Sequence, residues 1–217
     1  SLLVGMAIVP VSLTRSLAPA PVPATRFNFL KLYRRSHTAF AGALGSGVVM
    51  GGFWGLGAIY ALSVTNDPSF VPTFIAANII GGALAQYPIG MASDRIDRRY
   101  VLAALCAASG VSAFGLMLAD TREALLLGAF GFGAFANSLY AVALAKAADN
   151  SKSEEFVTIG SSVLLLNALG SASSALVIGW AMRSMGDGAL FALVGAASLV
   201  TGVFIILQPP GRTAVTI

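Results

Sequence analysis

The side chains of this sequence that are best suited to chemistry are concentrated in one short stretch, GMASDRIDRR at residues 90–99. Five of its positions carry a charge: Asp94, Arg95, Asp97, Arg98 and Arg99. Carboxylates beside guanidinium groups could serve acid–base catalysis, hold an anionic partner, or form a charged loop at a membrane surface. The segments on either side decide among these roles, because they determine where the stretch lies.

Those segments are strongly apolar. Hydrophobic residues make up 57% of the 217 residues, charged residues only 10%, and the mean hydropathy is +0.83, whereas a soluble domain carries roughly a quarter charged residues. The net charge of +4 arises from basic residues between apolar runs, which excludes nucleic acid as the expected partner and fits the anionic inner face of a membrane. The single cysteine, Cys106, allows no disulfide within the chain and is predicted to be a small buried hydrophobe.

Six stretches without Asp, Glu, Lys or Arg are each at least 20 residues long. About 20 apolar residues cross the roughly 30 Å hydrocarbon core as a helix. We therefore predict an all-α integral membrane protein, a six-transmembrane-helix bundle over residues 37–208. Its predicted spans are 37–66, 70–92, 100–119, 124–146, 156–183 and 189–208.

The N-terminal region is predicted from the same patterns. Residues 1–14 are apolar but too short to span, and they lack the methionine and basic start of a signal peptide, so we expect a partial transmembrane helix whose first part lies upstream. Residues 15–36 form a basic, proline-rich linker, and its end, RFNFLKLYRR, is either a short interfacial helix or a solvated segment. Residues 209–217 are predicted to be a tail on the same side as the linker.

Basic residues predict the orientation, because short cytoplasmic loops are enriched in Lys and Arg. One set of alternate connections holds eleven of them: Arg15, Arg26, Lys31, Arg34, Arg35, Arg95, Arg98, Arg99, Lys146, Lys152 and Arg212. The opposite set holds only Arg122 and Arg183. We therefore expect the linker, the 93–99 and 146–155 connections and the C-terminus to be cytoplasmic.

The spans also contain an internal repeat. GFWGLGAI at 52–59 aligns with GAFGFGAF at 128–135, at an offset of 76 residues or three spans. Because three is odd, the second copy would enter the membrane from the opposite side, which predicts a 3+3 inverted repeat. Small residues recur every four positions at Ala43, Gly47, Gly51 and Gly55, a pattern that favours close helix packing.

Several polar side chains fall inside the predicted spans. They are Asn78 and Gln86 in the second span, Asn137 and Tyr140 in the fourth, and Asn167 in the fifth. Polar groups at membrane depth normally face the bundle or a wet cavity. Two interpretations stay open for each of them, a hydrogen bond to a neighbouring helix or contact with a substrate.

Two motifs resemble one known family. GMASDRIDRR is similar to the cytoplasmic loop signature of the major facilitator superfamily: Gly90, Asp94, Arg95, Arg98 and Arg99 match, and Asp97 stands where the commoner copy has glycine. Residues 139–171 resemble the tenth-to-eleventh helix region of a bacterial YcaD-like branch of that superfamily, which carries the same kind of loop.

The resemblance implies the C-terminal half of a transporter, from the end of helix six to helix twelve, in a bacterial inner membrane. Its expected partners are a small-molecule substrate, the lipid bilayer and a six-helix N-terminal half, with no cofactor or metal. Helices seven and ten line the central cavity in that family, so Trp54, Tyr60, Asn137 and Tyr140 are carried over as candidate lining residues. Asn78, Gln86 and Asn167 join them as polar candidates.

Two interpretations of the charged loop, residues 90–99, remain. Asp94, Arg95, Asp97, Arg98 and Arg99 could form a conformational latch that holds helix ends together in one access state, with Gly90 preceding them. The alternative is a loop that only sets topology. An intramembrane enzyme is not expected, because His37 is the only histidine and no paired His or Asp metal ligands accompany it. A non-transporting scaffold or regulatory half-protein is the alternative to a transporter.

Overall fold

The computed structural model of the chain describes residues 29–149 and 156–208. The predicted partial helix 1–14, the linker up to residue 28 and the tail 209–217 lie outside these residues. The described helices are α1 Phe29–Arg35, α2 His37–Thr65, α3 Phe70–Arg95, α4 Arg98–Met117, α5 Arg122–Asp149, α6 Phe156–Met185 and α7 Ala189–Leu207.

Helices α2 to α7 are all long and apolar enough to cross a membrane. This confirms the predicted fold class, an all-α six-helix membrane bundle. The helices extend into the segment that the sequence assigned to the charged loop: α3 continues to Arg95 and α4 begins at Arg98, so only Ile96 and Asp97 separate them. Residues 29–35 form the short helix that one of the two interpretations of the linker predicted.

Side-chain caps define where two of the helices begin. The Ser36 hydroxyl accepts a hydrogen bond from the Ala39 amide at 3.1 Å and starts α2, one residue after α1 ends. The Asp97 carboxylate accepts from the Arg99 amide at 3.0 Å and starts α4. Each cap satisfies one of the amides that a helix start leaves without an intrahelical partner.

The six long helices form two layers. The first layer has the order α6, α2, α5, α3, and α4 and α7 form the second layer behind α5 and α2. Four fully buried rings, Phe53, Phe74, Phe132 and Phe191, fill the space where the layers meet. The Phe53 and Phe132 ring centroids lie 5.5 Å apart and those of Phe132 and Phe191 5.9 Å apart.

Glycines allow the two outer pairs of the first layer to pack backbone against backbone. A Cβ atom at Gly47 of α2 would lie 2.1 Å from the carbonyl oxygen of Asn167 in α6, and one at Gly133 of α5 would lie 2.0 Å from the carbonyl oxygen of Asn78 in α3. Because interhelical packing in lipid depends on such close approach, these contacts set the register of each pair.

The matched contacts show the inverted repeat, but at another register than the predicted one. Gly47 corresponds to Gly133, an offset of 86 residues, and Asn78 corresponds to Asn167, an offset of 89. The predicted alignment of 52–59 with 128–135, an offset of 76, is therefore wrong by ten residues. Glycine-rich helices match one another in several registers, and only the packing contacts distinguish among them.

Candidate functional site

The charged loop lies where the ends of α3, α4, α5 and α7 meet. Asp94 and Arg95 form the last turn of α3, Asp97 caps α4, and Arg98 and Arg99 form the first turn of α4. The sequence therefore places carboxylates and guanidinium groups on two antiparallel helices joined by a two-residue turn. Their side chains meet partners on further helices that the sequence pattern did not point to.

Arg98 connects three helix ends. Its guanidinium donates to the Asp94 carboxylate of α3 at 3.0 Å and to the Ala145 carbonyl oxygen of α5 at 3.3 Å. It also donates to the Asp149 carboxylate at the end of α5. The Arg98 side chain is 21% exposed, compared with 71% for Asp94, so the cation is largely enclosed while one of its carboxylate partners faces outward.

Asp97 makes a second ionic link to α5. Its carboxylate accepts from the Lys146 ammonium at 2.9 Å as well as from the Arg99 amide. Burial of the carboxyl raises its pKa, but the Arg99 amide and Lys146 outweigh that effect and lower the pKa of Asp97 below 3.8. Asp97 is therefore ionised at neutral pH and links α4 to α5 electrostatically.

Arg99 turns in the other direction, toward α7. It is only 7% exposed, and its Nε donates to the carbonyl oxygen of Ile205 at 3.0 Å. Its Nη2 donates to the carbonyl oxygen of Ile206. Because the last carbonyls of a helix have no intrahelical partner and carry a partial negative charge, Arg99 acts as a cap on the C-terminus of α7.

The remaining predicted residues of the loop are more open. Arg95 is exposed. Gly90 has open space where a Cβ atom would stand, and it lines a cavity of about 320 Å³ between α3 and α5 together with Gln86, Ser93 and Ser138. Thus Gln86 lies next to the charged loop, at one end of the bundle.

Two of the candidate lining residues stand at equivalent positions of the inverted repeat. Trp54 of α2 and Tyr140 of α5 are separated by the offset of 86. Trp54 is 52% exposed, and it lies on the side of α2 opposite Gly45 and Gly52, which contact α7. We call the side of the first layer that faces away from α4 and α7 the open face, and Trp54 belongs to it.

Tyr60 is directed the other way, into the bundle. It is 2% exposed, its hydroxyl donates to the Leu116 carbonyl oxygen of α4 at 2.8 Å, and its ring packs edge-on against Phe191 of α7 at 4.7 Å. The structure thus places Tyr60 against the second layer rather than on the open face. At about 100° per residue, two residues at a spacing of six lie about 120° apart around the helix axis, which turns Tyr60 away from Trp54.

The three asparagines bond to neighbouring helices. Asn137 of α5 donates to the backbone carbonyl of Asn78 in α3 at 3.3 Å, and Asn78 is fully buried. Asn167 of α6 donates to the hydroxyl of Ser46 in α2 at 2.9 Å and to the carbonyl oxygen of Ala43 at 3.4 Å. These are hydrogen bonds to neighbouring helices, as the first interpretation expects, and contact with a substrate stays a prediction.

Sequence reasoning did not identify Lys146, Asp149 and the α7 carbonyls as partners of the charged loop. Lys146 and Asp149 are three residues apart at the end of a span, a spacing that places two side chains on one helix face and is the only signal the sequence offers for them. Within residues 29–149 and 156–208, no three His, Cys, Asp or Glu side chains gather in a way that could hold a metal ion.

Comparison with known proteins agrees with these features. A family model of the Major Facilitator Superfamily matches residues 38–216. An "Uncharacterized MFS-type transporter YcaD" of Salmonella arizonae is 26% identical over 184 residues, which are 85% of this chain and 47% of the relative. The protein of that name from Escherichia coli is 26% identical over 190 residues, 86% of this chain and 47% of the relative.

The chain spans about half the length of these curated relatives. The matches confirm the resemblance to the YcaD-like branch, and with six apolar helices they support a multi-pass membrane protein of a transporter family. Since the family model covers most of the sequence, this chain belongs to the Major Facilitator Superfamily.

Proposed function

We propose that the chain acts as the C-terminal six-helix half of a secondary transporter that moves a small solute across a bacterial inner membrane by alternating access. The open face carries this proposal. A half-transporter can bound a solute path only where its own helices leave one face uncovered, and the half-exposed Trp54 lies on such a face. The coverage of 47% of each relative supports the same division into halves.

The charged loop then has two parts with different roles. Arg98, Arg99 and Lys146 hold the ends of α3, α4, α5 and α7 together, so that these helices move as one body. Asp94 and Arg95 face outward and are available to the other half of the transporter. A contact that Asp94 makes in one access state and loses in the other would bias the equilibrium between the states.

Replacing Asp94 with Asn tests this role. We expect the Asp94→Asn protein to accumulate at the normal level but to change its access equilibrium, because the amide keeps the size of the side chain and removes its charge. Asp67→Asn is the matched control: Asp67 pairs with Arg122 at 2.9 Å at the opposite end of α3. The readout is labelling of Trp54→Cys by a membrane-impermeant maleimide, which needs no known substrate.

Equal labelling of the Asp94→Asn and parent proteins, with normal insertion, would contradict the latch and leave the loop a determinant of topology. The native thiol interferes little, since Cys106 is 2% exposed.

The cytoplasmic position of the basic end follows from the charge bias of eleven basic residues against two. A reporter fused after Ile217 would test it directly.

A non-transporting scaffold or regulatory half-protein is the second candidate, because six membrane-spanning helices alone provide only one wall of a cavity. Uptake of a panel of neutral solutes by cells that express the chain alone, or the full reading frame that contains it, separates the two. Uptake only with the longer frame supports a transporter half. No uptake by either, with normal insertion of both into the membrane, would favour the scaffold.

A further inference from the structure

An apolar groove runs between α2 and α7, on the side of α2 away from Trp54. Its volume is about 360 Å³, and its lining includes Tyr33 of α1, Phe40, Leu44 and Val48 of α2, and Ala197 and Phe204 of α7. Gly45 lies in the lining where the two helices come close, since a Cβ atom there would stand 2.5 Å from Cγ2 of Thr201. The groove is almost free of polar surface.

The α2–α7 groove continues toward the middle of the bundle. A second cavity of about 230 Å³ shares Val48 and Ala197 with it and reaches Leu193. From Phe204 to Leu193 the α7 helix rises about 16 Å at 1.5 Å per residue. One leaflet is half of a hydrocarbon core of roughly 30 Å, so the combined groove has the length of a single lipid acyl chain.

The outer end of the groove is aromatic and basic. The Tyr33 ring stands edge-on to His37 at 4.4 Å and to Phe40 at 5.3 Å. Arg34 is exposed on the next position of α1. Its guanidinium gives the apolar channel a positively charged mouth.

The short α1 helix itself has the character of an interfacial element. Leu32 is 2% exposed and packs into the bundle, whereas Leu30 is 58% and Tyr33 41% exposed. Apolar side chains that face outward beside arginines are typical of a helix lying at the boundary between headgroups and acyl chains. The mouth of the groove is thereby placed at the depth of lipid phosphates.

We propose that the α2–α7 groove is a binding site for an anionic phospholipid. One acyl chain occupies the groove from Phe204 to Leu193, and the phosphate lies against Arg34. The apolar lining selects a chain, and the basic mouth selects an anionic headgroup over a zwitterionic one. This site does not depend on the proposed transport function, since it lies on the side of α2 away from the open face.

The test is native mass spectrometry of the detergent-purified protein titrated with phosphatidylglycerol or phosphatidylcholine. We expect the parent protein to prefer phosphatidylglycerol. Arg34→Gln should lower that preference about fivefold, the value of one basic side chain near an anionic surface. Ala197→Phe, which fills the groove, should lower binding of both lipids by more than about tenfold, because each buried methylene contributes to lipid affinity.

Ala108→Phe is the matched control, because Ala108 lines a separate apolar groove against α3 and α5; it should leave the binding of phosphatidylglycerol unchanged. Arg34 is exposed, so Arg34→Gln tests the site even if Ala197→Phe does not fold. Equal binding of the two lipids by the parent protein, or an Arg34→Gln protein with the full preference, would overturn the proposal. Equal losses of phosphatidylglycerol binding in the Ala108→Phe and Ala197→Phe proteins would overturn it as well.

Discussion

Arg99 offers the sharpest test of how the charged loop works. Its guanidinium donates to the carbonyl oxygens of Ile205 and Ile206, and replacement by methionine leaves both carbonyls without that partner. The Ile205 carbonyl keeps a hydrogen bond from the Gln208 amide at 3.3 Å, so the bond to Ile206 is the one lost without a replacement. An unsatisfied polar group costs about 1 to 3 kcal/mol, and we expect Arg99→Met to lower the free energy of unfolding by that amount. By the scale of soluble proteins of this size, the melting temperature falls by roughly 2 to 12 °C.

Two further variants make the measurement specific. Arg95→Met removes a guanidinium from the same motif, but Arg95 is exposed and has no hydrogen-bond or ion-pair partner among residues 29–149 and 156–208, so its effect should stay within about 0.5 kcal/mol. Arg99→Lys keeps the charge but lacks the planar fork that reaches two carbonyls. It should fall between the parent and Arg99→Met.

The assay is thermal unfolding in mild detergent, followed by the loss of monomer on size exclusion. The expected order of stability is the parent and Arg95→Met together, then Arg99→Lys, then Arg99→Met. Arg95→Met and Arg99→Met with equal losses would refute the assignment of Arg99 as the cap of α7. An unchanged melting temperature for Arg99→Met would refute the contribution of the two carbonyl bonds.

Three further predictions follow from packing, exposure and charge. Gly133→Ala should destabilise the bundle by about 1 to 3 kcal/mol by overpacking. Gly90→Ala has nothing within 4 Å of its Cβ atom and lies in a helix, so in the same thermal assay it should be neutral or stabilising by up to about 1 kcal/mol. A maleimide should label Trp54→Cys rapidly and leave Tyr60→Cys protected, as their exposures of 52% and 2% require. Asp97 has a lowered pKa in the folded protein, so its ionised form stabilises the folded state above pH 3.8. That stabilisation is lost as the pH falls through the pKa of the folded state. The melting temperature of Asp97→Asn should therefore differ from that of the parent protein at about pH 7 and converge with it in acid.

The six spans could be predicted because the length of an apolar run is a local property of the sequence, and that length decides whether a helix can cross the bilayer. Helix ends were less predictable: Arg98 and Arg99 are charged, yet they belong to α4, since their charges are satisfied by the ends of neighbouring helices. The partners Lys146 and Asp149 follow the loop by about 50 residues. Only the packing of α5 against α4 brings them close, and no pattern along the chain expresses that contact.

The structure also places two candidate lining residues on different sides of α2, which the sequence did not predict. Trp54 and Tyr60 lie in one span and both are large aromatics, so composition cannot distinguish a residue on the open face from one that bonds to the second layer. The distinction depends on which side of α2 contacts α7, and that is set by Gly45 and Gly52. The positions of these glycines in the sequence would have indicated that side, because small residues mark where a neighbouring helix packs closely.

The inverted repeat holds for the packing of the helices but not for their connections. At the offset of 89, the charged loop corresponds to the turn between α6 and α7, where Asp94 is matched by Arg183 and Arg98 by Asp187. That turn contains Gly186 at a φ of 95°, and among the described residues no salt bridge forms at it. One end of the bundle is therefore tied across four helices by the charged loop. At the other end the salt bridge between Asp67 and Arg122 links the α2–α3 turn to α5, and no salt bridge among the described residues reaches the α6–α7 turn. In the transporter half that we propose, helices tied together at one end would move there as a unit, so a contact with the outward-facing Asp94 at that end would act on all four helices at once.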